Sequence, residues 1–102
     1  MIQALNIMEE GFQVNSSSSN LLYHRTILHL YFSSLKTAMQ DINLCIEKAE
    51  ENLPKYFYLR GICFACMKSL KKAINEFSIS ISLNKEYSMA YLERAKCYFL
   101  SG

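Results

Sequence analysis

The sequence predicts an all-α fold built from about six helices. Three observations predict it: only one proline and three glycines in 102 residues, apolar residues at helical spacing, and a pattern that recurs about every 34 residues. About half of the residues are hydrophobic (51%) and a fifth are charged (20%), which is too apolar for a disordered chain. The length allows a single domain over 1–102 with a small core.

Two kinds of segment, which we call A and B, alternate along the chain. Segment B occurs at 34–42 and again at 69–77, where the two stretches align without a gap at a spacing of 35 residues. A weaker copy of B lies within 1–15. Segment A occurs three times, each time with an arginine at the same register position: Arg25, Arg60 and Arg94. The order of the segments is therefore B-A-B-A-B-A.

Each segment has the apolar spacing of a helix, and polar residues separate the segments. A serine-rich loop follows the first B segment, and Ser34 and Ser69 precede the next two B segments, where we expect them to cap the helices. Pro54 opens the second A segment, a position where its missing N–H costs nothing. The predicted helices span 3–14, 20–32, 35–50, 54–67, 70–83 and 87–101.

This repeated helix pair resembles the tetratricopeptide repeat. Phe57 and Phe64 stand at aromatic positions of the family, and Gly61 stands at the small residue where helix A meets helix B. Ala73 stands at the small residue of helix B that packs against that glycine, and Phe77 stands at the second aromatic. The residues that we expect to pack repeat against repeat are Ala4, Ala38, Phe57, Gly61, Phe64, Ala73, Phe77, Tyr91, Ala95 and Tyr98.

The resemblance implies a right-handed superhelix of antiparallel helix pairs. It divides the chain into a half repeat of helix B (1–15), two repeats (20–53 and 54–87) and a half repeat of helix A (88–102). Thr26 and His29 depart from the family pattern in the first full repeat, where a small residue and a tyrosine are usual.

Tetratricopeptide arrays are usually protein-binding scaffolds in which the A helices line a concave groove. By this resemblance, the groove candidates are Tyr23, Ile27, Leu30, Tyr31, Tyr58, Ile62, Cys66, Met89, Leu92, Lys96 and Phe99. This surface is apolar and aromatic, so it suits a peptide or helix of a protein partner with hydrophobic anchors. The alternative is that these side chains pack against further helices of a larger array.

One subclass of the family, the co-chaperones, grips an acidic C-terminal tail with a clamp of Lys, Asn and Arg. The corresponding residues here are Tyr23, Ile27, Leu59, Met89 and Glu93. None of them can hold a carboxylate, and Glu93 would repel one. We therefore expect no binding to the tails of heat-shock proteins.

The three arginines at one register position have a structural and a functional interpretation. The structural one, which family resemblance favours, pairs each arginine with a carboxylate or a helix C-terminus in the next repeat. The functional one makes them a basic stripe for an acidic partner or RNA. A net charge of +2 and the lack of base-reading polar pairs argue against a nucleic-acid partner.

The sequence offers no candidate for catalysis, for a metal or for a cofactor. It contains no glycine-rich phosphate loop and no hydrolase or metalloprotease motif, so we expect a protein that is not an enzyme. Cys63 and Cys66 form a CxxC, but Cys97 repeats Cys63 one unit later, which indicates a packing position rather than a zinc ligand.

The phase of the repeats suggests a second function. A B segment comes first without an A partner, and an A segment comes last without a B partner, so copies of the chain could join head to tail into a homo-oligomer or scaffold. Apolar residues at the two ends support this: Leu5, Met8, Phe12, Tyr98 and Phe99. The competing explanation is a fragment of a longer array.

The sequence also predicts a cytoplasmic location. No apolar stretch approaches the ~20 residues that a membrane-spanning helix needs, and the N-terminus lacks the pattern of a secretory signal. The four cysteines lie in apolar, helix-like segments, which is typical of free thiols in a reducing compartment.

Overall fold

The computed structural model describes residues 18–32 and 34–101, and these form five helices with no strand among them. The helices are α1 (Ser19–Tyr31), α2 (Leu35–Lys48), α3 (Pro54–Cys66), α4 (Leu70–Leu83) and α5 (Ser88–Ser101). Each begins and ends within two residues of its predicted bounds. The predicted helix 3–14 and its packing residue Ala4 lie outside the described residues. The chain divides into two units after Glu50, so α1 and α2 lie in the first unit and α3 to α5 in the second.

In the first unit, α1 and α2 pack against each other. α1 begins with a cap, because the Ser18 hydroxyl accepts the N–H of Leu21 at 3.3 Å. The Ser19 hydroxyl donates to the carbonyl of Cys45 at 3.0 Å, and the Cys45 thiol donates back to the carbonyl of Ser19 at 3.2 Å. These reciprocal bonds tie the start of α1 to the end of α2. Among the described residues of this unit, the fully buried apolar ones are Leu22, Ala38, Ile42 and Cys45.

In the second unit, α4 packs against both α3 and α5. The unit's core cluster consists of Ala73, Phe77, Ile81, Ala90 and Cys97. The first three lie on one face of α4 at i, i+4 and i+8, the spacing that the apolar pattern predicted. Pro54 occupies the first turn of α3, as expected, and its carbonyl accepts the hydroxyl of Ser80 at 2.9 Å. That bond joins the start of α3 to the later part of α4.

The crossing of α3 and α4 depends on Gly61. A Cβ atom at this position would lie 2.5 Å from Cε1 of Phe77, well inside van der Waals contact. The three atoms nearest to that Cβ all belong to the ring of Phe77. Ala73, one turn earlier on α4, is fully buried. The missing side chain of the glycine leaves the space that the phenyl ring fills.

The two expected serine caps are absent. Ser34 and Ser69 occupy the N-cap positions of α2 and α4, but neither side chain makes a capping hydrogen bond. Their ψ angles of 65° and 70° fall short of the extended backbone that aims an N-cap side chain at the free N–H groups, whereas Ser18 has a ψ of 116°. Their carbonyls accept the first helical N–H groups, from Ala38 at 2.9 Å and Ala73 at 3.0 Å, as the carbonyl of Ser18 accepts that of Leu22 at 3.2 Å.

α3 ends in a Schellman motif, the two-bond closure of a helix C-terminus. The N–H of Ser69 donates to the carbonyl of Phe64 at 2.9 Å, and the N–H of Lys68 donates to the carbonyl of Ala65 at 3.0 Å. Lys68 has a φ of 65°, the left-handed conformation that this motif requires and that glycine normally supplies. Lysine therefore adopts a strained backbone at this turn.

Candidate peptide-binding surface

The predicted groove residues of the second unit lie on α3 and α5, which contact each other. On α3, Tyr58 and Ile62 are half-buried and pack against the core cluster. The ring of Tyr58 lies 5.8 Å from that of Phe77 and meets the ring of Tyr87 edge-on at 5.5 Å. Such packing fixes the tyrosine in place while leaving part of it open to a ligand. Cys66, at the end of α3, is exposed.

The groove residues on α5 are much more exposed. Phe99 is 85% exposed, and Leu92 and Met89 are 57% and 56% exposed. Lys96 is also exposed, and its ammonium group lies 3.4 Å from the carboxylate of Glu93. A shallow apolar depression of about 460 Å³ runs along this helix, lined by Leu92, Ala95, Lys96, Phe99 and Leu100. Side chains this large and this exposed are the ones from which a ligand gains most by covering them.

The groove residues of the first unit lie on α1. Tyr23 and Leu30 are half-buried, whereas Ile27 and Tyr31 are exposed. The ring of Tyr23 meets that of His24 edge-on at 5.5 Å. Ile27 also lines a shallow apolar depression of about 350 Å³ together with Leu21, His24 and Leu28.

The residues expected to pack repeat against repeat fall into two groups. Ala38, Phe57, Gly61, Ala73 and Phe77 are buried, and Phe64 is half-buried. Tyr91, Ala95 and Tyr98, which occupy the same positions on α5, are exposed. In the described part of the chain, no helix follows α5 to cover them.

The arginines reach across from the A helices to the B helices. Nε of Arg25 lies 3.4 Å from Oδ2 of Asp41, and Nε of Arg60 donates to Oε1 of Glu76 at 2.9 Å. Each carboxylate belongs to the other helix of the same pair rather than to the next repeat. Two residues that are sixteen apart in the sequence lie at the same level of the two antiparallel helices, which explains why both pairs have this separation. Sequence reasoning missed these partners, although Asp41 and Glu76 align in the two B segments.

Arg94 has a different environment. Its Nη1 donates to the hydroxyl of Ser78 on α4 at 3.1 Å, and its guanidinium lies over the ring of Tyr91 at 5.5 Å. Arg60 lies over Phe57 in the same way, at 5.6 Å. Both guanidinium groups are thus held on the aromatic ring one turn earlier. Within the described residues, only the first two of the three arginines reach a carboxylate.

Thr26 and His29, which depart from the family pattern, both make hydrogen bonds inside the first unit. The hydroxyl of Thr26 donates to the carbonyl of Leu22 at 2.7 Å, and a 2.8 Å hydrogen bond joins Nδ1 of His29 to Oδ2 of Asp41. Both residues are buried. They are therefore core residues of this helix pair, and Asp41 serves both His29 and Arg25.

The CxxC of α3 is split between core and surface. Cys63 is fully buried, and burial followed by the nearby Cys66 thiol raises the pKa of Cys63 to about 12. Its thiol therefore stays protonated at neutral pH and is a poor nucleophile and metal ligand. Burial, with a smaller effect from Glu93, also raises the pKa of Cys97. Among residues 18–32 and 34–101, no three metal-binding side chains lie together.

None of the five residues expected at the carboxylate clamp is a cation. Tyr23 and Ile27 lie on α1, and Met89 and Glu93 lie on α5. Leu59, the fifth clamp position, is buried and so lines no surface, in contrast to its expected place in the groove.

These helix pairs, with a glycine at one crossing and large apolar residues around it, define the tetratricopeptide class of all-α folds. The similarity to solved structures of this class confirms the fold. The first tetratricopeptide domain of Spaghetti (RPAP3), bound to the HSP90 peptide SRMEEVD, is 18% identical with a TM-score of 0.87, and the match covers 97% of this chain and 79% of that one. The tetratricopeptide domain of Arabidopsis OM64 is 19% identical with a TM-score of 0.84, covering 92% of this chain and 77% of that one.

A third similar structure is the second tetratricopeptide domain of human RPAP3 in complex with the HSP70 peptide SGPTIEEVD. It is 20% identical with a TM-score of 0.83, and the match covers 93% of this chain and 78% of that one. A scan of protein-family models finds no match to the sequence, and neither does a search of curated proteins. At identities of this size the likeness concerns the fold. None of the described helices is long and apolar enough to cross a membrane.

Proposed function

We propose that this protein is a non-catalytic interaction module that binds a peptide or helix of a partner protein along the groove faces of its A helices. The observation that carries the proposal is the exposure of Met89, Leu92 and Phe99 on α5, beside the half-buried Tyr58 and Ile62 of α3. A ligand that covers such side chains gains about 25 cal/mol for each Å² of apolar surface removed from water. The similar domains with bound HSP90 and HSP70 peptides support peptide binding by this fold.

The chemistry of the surface favours an apolar ligand over an acidic tail. The HSP90 and HSP70 peptides bound by the two RPAP3 domains both end in EEVD and are acidic. Here, Met89 and Glu93 stand at two positions of the carboxylate clamp, and Glu93 adds a negative charge that repels a terminal carboxylate. Lys96 is paired with Glu93 at 3.4 Å. We therefore propose a ligand with two or three hydrophobic anchors and little net charge.

A peptide screen followed by fluorescence anisotropy tests this function. An array of 15-residue peptides is probed with the protein, and the best binder is titrated against the parent and a Phe99→Ser variant. Loss of the exposed phenyl ring should weaken binding by about tenfold or more, since covering a phenylalanine contributes about 2 kcal/mol. Met67→Ser is the matched control, because Met67 is an exposed apolar residue that is not among the groove candidates.

Two results would contradict the proposal. One is a screen in which no apolar peptide binds while SRMEEVD does, which would place an acidic-tail site on the chain. The other is equal loss of binding in the Phe99→Ser and Met67→Ser variants, which would mean that exposed apolar surface is recognised without a specific groove.

A structural role is the second candidate function. The exposed Tyr91, Tyr98 and Phe99 of α5 favour it, because such a surface can associate with another copy of the chain. Light scattering behind a sizing column, over a hundredfold range of concentration, tests this role. A mass that stays at 11.8 kDa contradicts self-assembly, and a mass that climbs with concentration and falls back in Phe99→Ser supports it.

We also propose that the protein works in a reducing compartment such as the cytoplasm. Cys45, Cys63 and Cys97 are buried free thiols, and Cys66 is free and exposed. Buried unpaired thiols are typical of proteins that fold under reducing conditions.

A further inference from the structure

Positive charge is concentrated on the helix pair formed by α3 and α4. Residues 54–83 contain five of the eleven lysines and arginines of the chain but only one of its nine acidic residues, so this stretch has a net charge of +4. The chain as a whole carries +2. The single acidic residue, Glu76, is buried and forms an ion pair with Arg60, so it neutralises none of the lysines.

Three of these positive residues lie within five consecutive residues at the turn between α3 and α4. They are Lys68, Lys71 and Lys72, which we call the basic turn. All three are exposed, and among the described residues none of them lies within ion-pair distance of a carboxylate. The ammonium group of Lys72 lies 5.7 Å from the centre of the Phe64 ring, a contact that holds this charge at the turn. Like charges this close repel one another, so the turn gains from an incoming anion.

The repeat architecture does not require these charges. At the equivalent positions of the first helix pair, 35 residues earlier, the sequence has Ser33, Lys36 and Thr37. Two of the three positions are therefore uncharged there, although both stretches lead into a B helix of the same length. The charges of the basic turn are thus not a consequence of the fold.

The backbone of Lys68 is a second, independent observation. Its φ of 65° is left-handed, a conformation that glycine adopts at lower cost at the end of a helix. Strained backbone of this kind is concentrated at functional sites, where the side chain contributes something that offsets the strain. At this position the side chain contributes the third ammonium group of the basic turn.

We propose that the basic turn binds an acidic segment of a partner protein, one with several aspartate or glutamate side chains close together in its sequence. The carboxylates of the segment pair with the three ammonium groups, and the contact needs no terminal carboxylate. The site is separate from the peptide groove proposed above, because none of its three lysines is a groove candidate.

The make-up of the turn favours a flexible acidic segment over other anionic partners. Nucleic-acid sites combine positive charge with open aromatic rings, whereas Phe64 is half-buried and already in contact with Lys72. Recruitment to an anionic membrane takes about four to eight basic residues in one cluster, and the turn has three. A second copy of the chain offers the exposed Glu50 and Glu51, but two short turns in contact bury far less than the roughly 1,000 Å² of a stable interface.

An NMR titration of the whole ¹⁵N-labelled protein tests the proposal. The probe is an unlabelled peptide of eight residues, six of them glutamate, with both ends capped so that no terminal carboxylate contributes. A second peptide has glutamine in place of every glutamate. In 20 mM salt, we expect the glutamate peptide to shift the backbone amide signals of residues 66–72 in a saturable way and the glutamine peptide to leave them unchanged. In 200 mM salt, binding should weaken by at least about fivefold, because the exposed charges are screened.

Variants of single residues locate the site. Lys71→Gln should weaken binding of the glutamate peptide by about three- to fivefold, the effect of one exposed ion pair. Lys36→Gln is the matched control, because Lys36 is exposed, has the equivalent position in the first helix pair and changes the net charge equally. Lys68→Gly should weaken binding as much as Lys71→Gln while it stabilises the protein, so the loss of binding cannot come from unfolding. Phe99→Ser, the variant that tests the peptide groove, should leave binding of the glutamate peptide unchanged.

Four results would overturn the proposal. The first is the absence of saturable shifts at residues 66–72 with up to about 5 mM glutamate peptide. The second is equal weakening by Lys36→Gln and Lys71→Gln, which would mean that the peptide senses net charge alone. The third is a molar mass that climbs with concentration in 20 mM salt and falls back in Lys71→Gln, which would assign the turn to a second copy. The fourth is tighter binding, dependent on Lys71, to phosphatidylserine vesicles or single-stranded RNA than to the peptide.

Discussion

Replacement of Gly61 by alanine tests the packing of α3 against α4. The new Cβ would lie 2.5, 2.8 and 3.0 Å from three ring atoms of Phe77, whereas carbon atoms prefer separations of about 3.5–4 Å. The ring must therefore move by about 1 Å, but Phe77 is fully buried within the core cluster. Such overpacking costs about 1–3 kcal/mol.

The higher helix propensity of alanine offsets up to about 1 kcal/mol of this destabilisation. We therefore expect Gly61→Ala to lower the free energy of unfolding by about 1–2 kcal/mol, and the melting temperature by roughly 5–15 °C for a chain of this size. Urea unfolding followed by circular dichroism at 222 nm measures the change, with an unaltered m-value as evidence that the unfolded state has not changed.

Two further variants make this measurement decisive. Phe77→Leu shortens the side chain that causes the clash, so the cost of Gly61→Ala should fall by at least about 0.5 kcal/mol in that background. Ala95→Leu places a larger side chain at the same register of α5, where Ala95 is exposed, and it should change stability by less than about 0.5 kcal/mol. If Gly61→Ala stabilised the protein, as alanine does at an exposed helical glycine, the proposed contact between Gly61 and Phe77 would be wrong.

Four other expectations follow from individual contacts. Arg60→Gln should destabilise the protein by about 1–2 kcal/mol in urea unfolding, because it leaves Glu76 buried without its ion pair, and Glu76→Gln should cost less since a hydrogen bond survives. In the native protein one thiol should react quickly with a thiol reagent, and Cys66→Ser should abolish that fast phase. Because burial raises the pKa of Cys63 from 9.0 to about 12, the protonated thiol favours the folded state fully below pH 9.0, and this contribution is lost as the pH rises toward 12. The free energy of unfolding at pH 10.5 should therefore be lower by about 1–2 kcal/mol than at neutral pH. The decrease should be smaller in Cys63→Ser. Lys68→Gly should raise stability by about 0.5–1 kcal/mol by relieving the left-handed backbone at the end of α3, and an unchanged midpoint would contradict that strain.

The bounds of the helices could be predicted from sequence because local signals mark them. Pro54 can stand in the first turn of a helix, and the apolar residues of α4 recur at the spacing of a helix that is buried on one face. The serine caps could not be predicted, since a serine before a helix caps it only if its backbone is extended. Ser18 meets that condition, and Ser34 and Ser69 do not.

The sequence predicted which residues form the candidate binding surface, but it did not predict how exposed each of them is. The recurrence of one register position named Tyr58 and Leu92 together, yet Tyr58 is anchored against Phe77 and Tyr87, whereas Leu92 is 57% exposed. A repeat pattern assigns the same role to equivalent positions, and it does not say which copy has a neighbour. The neighbour determines how much of a side chain remains available to a ligand.

By itself, the sequence determined the helical repeat, its period and the small residue at the crossing, because these depend on the spacing and volume of residues along the chain. Only the tertiary structure decided how the arginines are paired. Arg25 and Arg60 each meet a carboxylate on the helix that follows them in the chain, whereas Arg94 donates to Ser78 on the helix that precedes it. An identical register therefore does not determine the partner of an arginine, because the partner depends on which helix packs beside it.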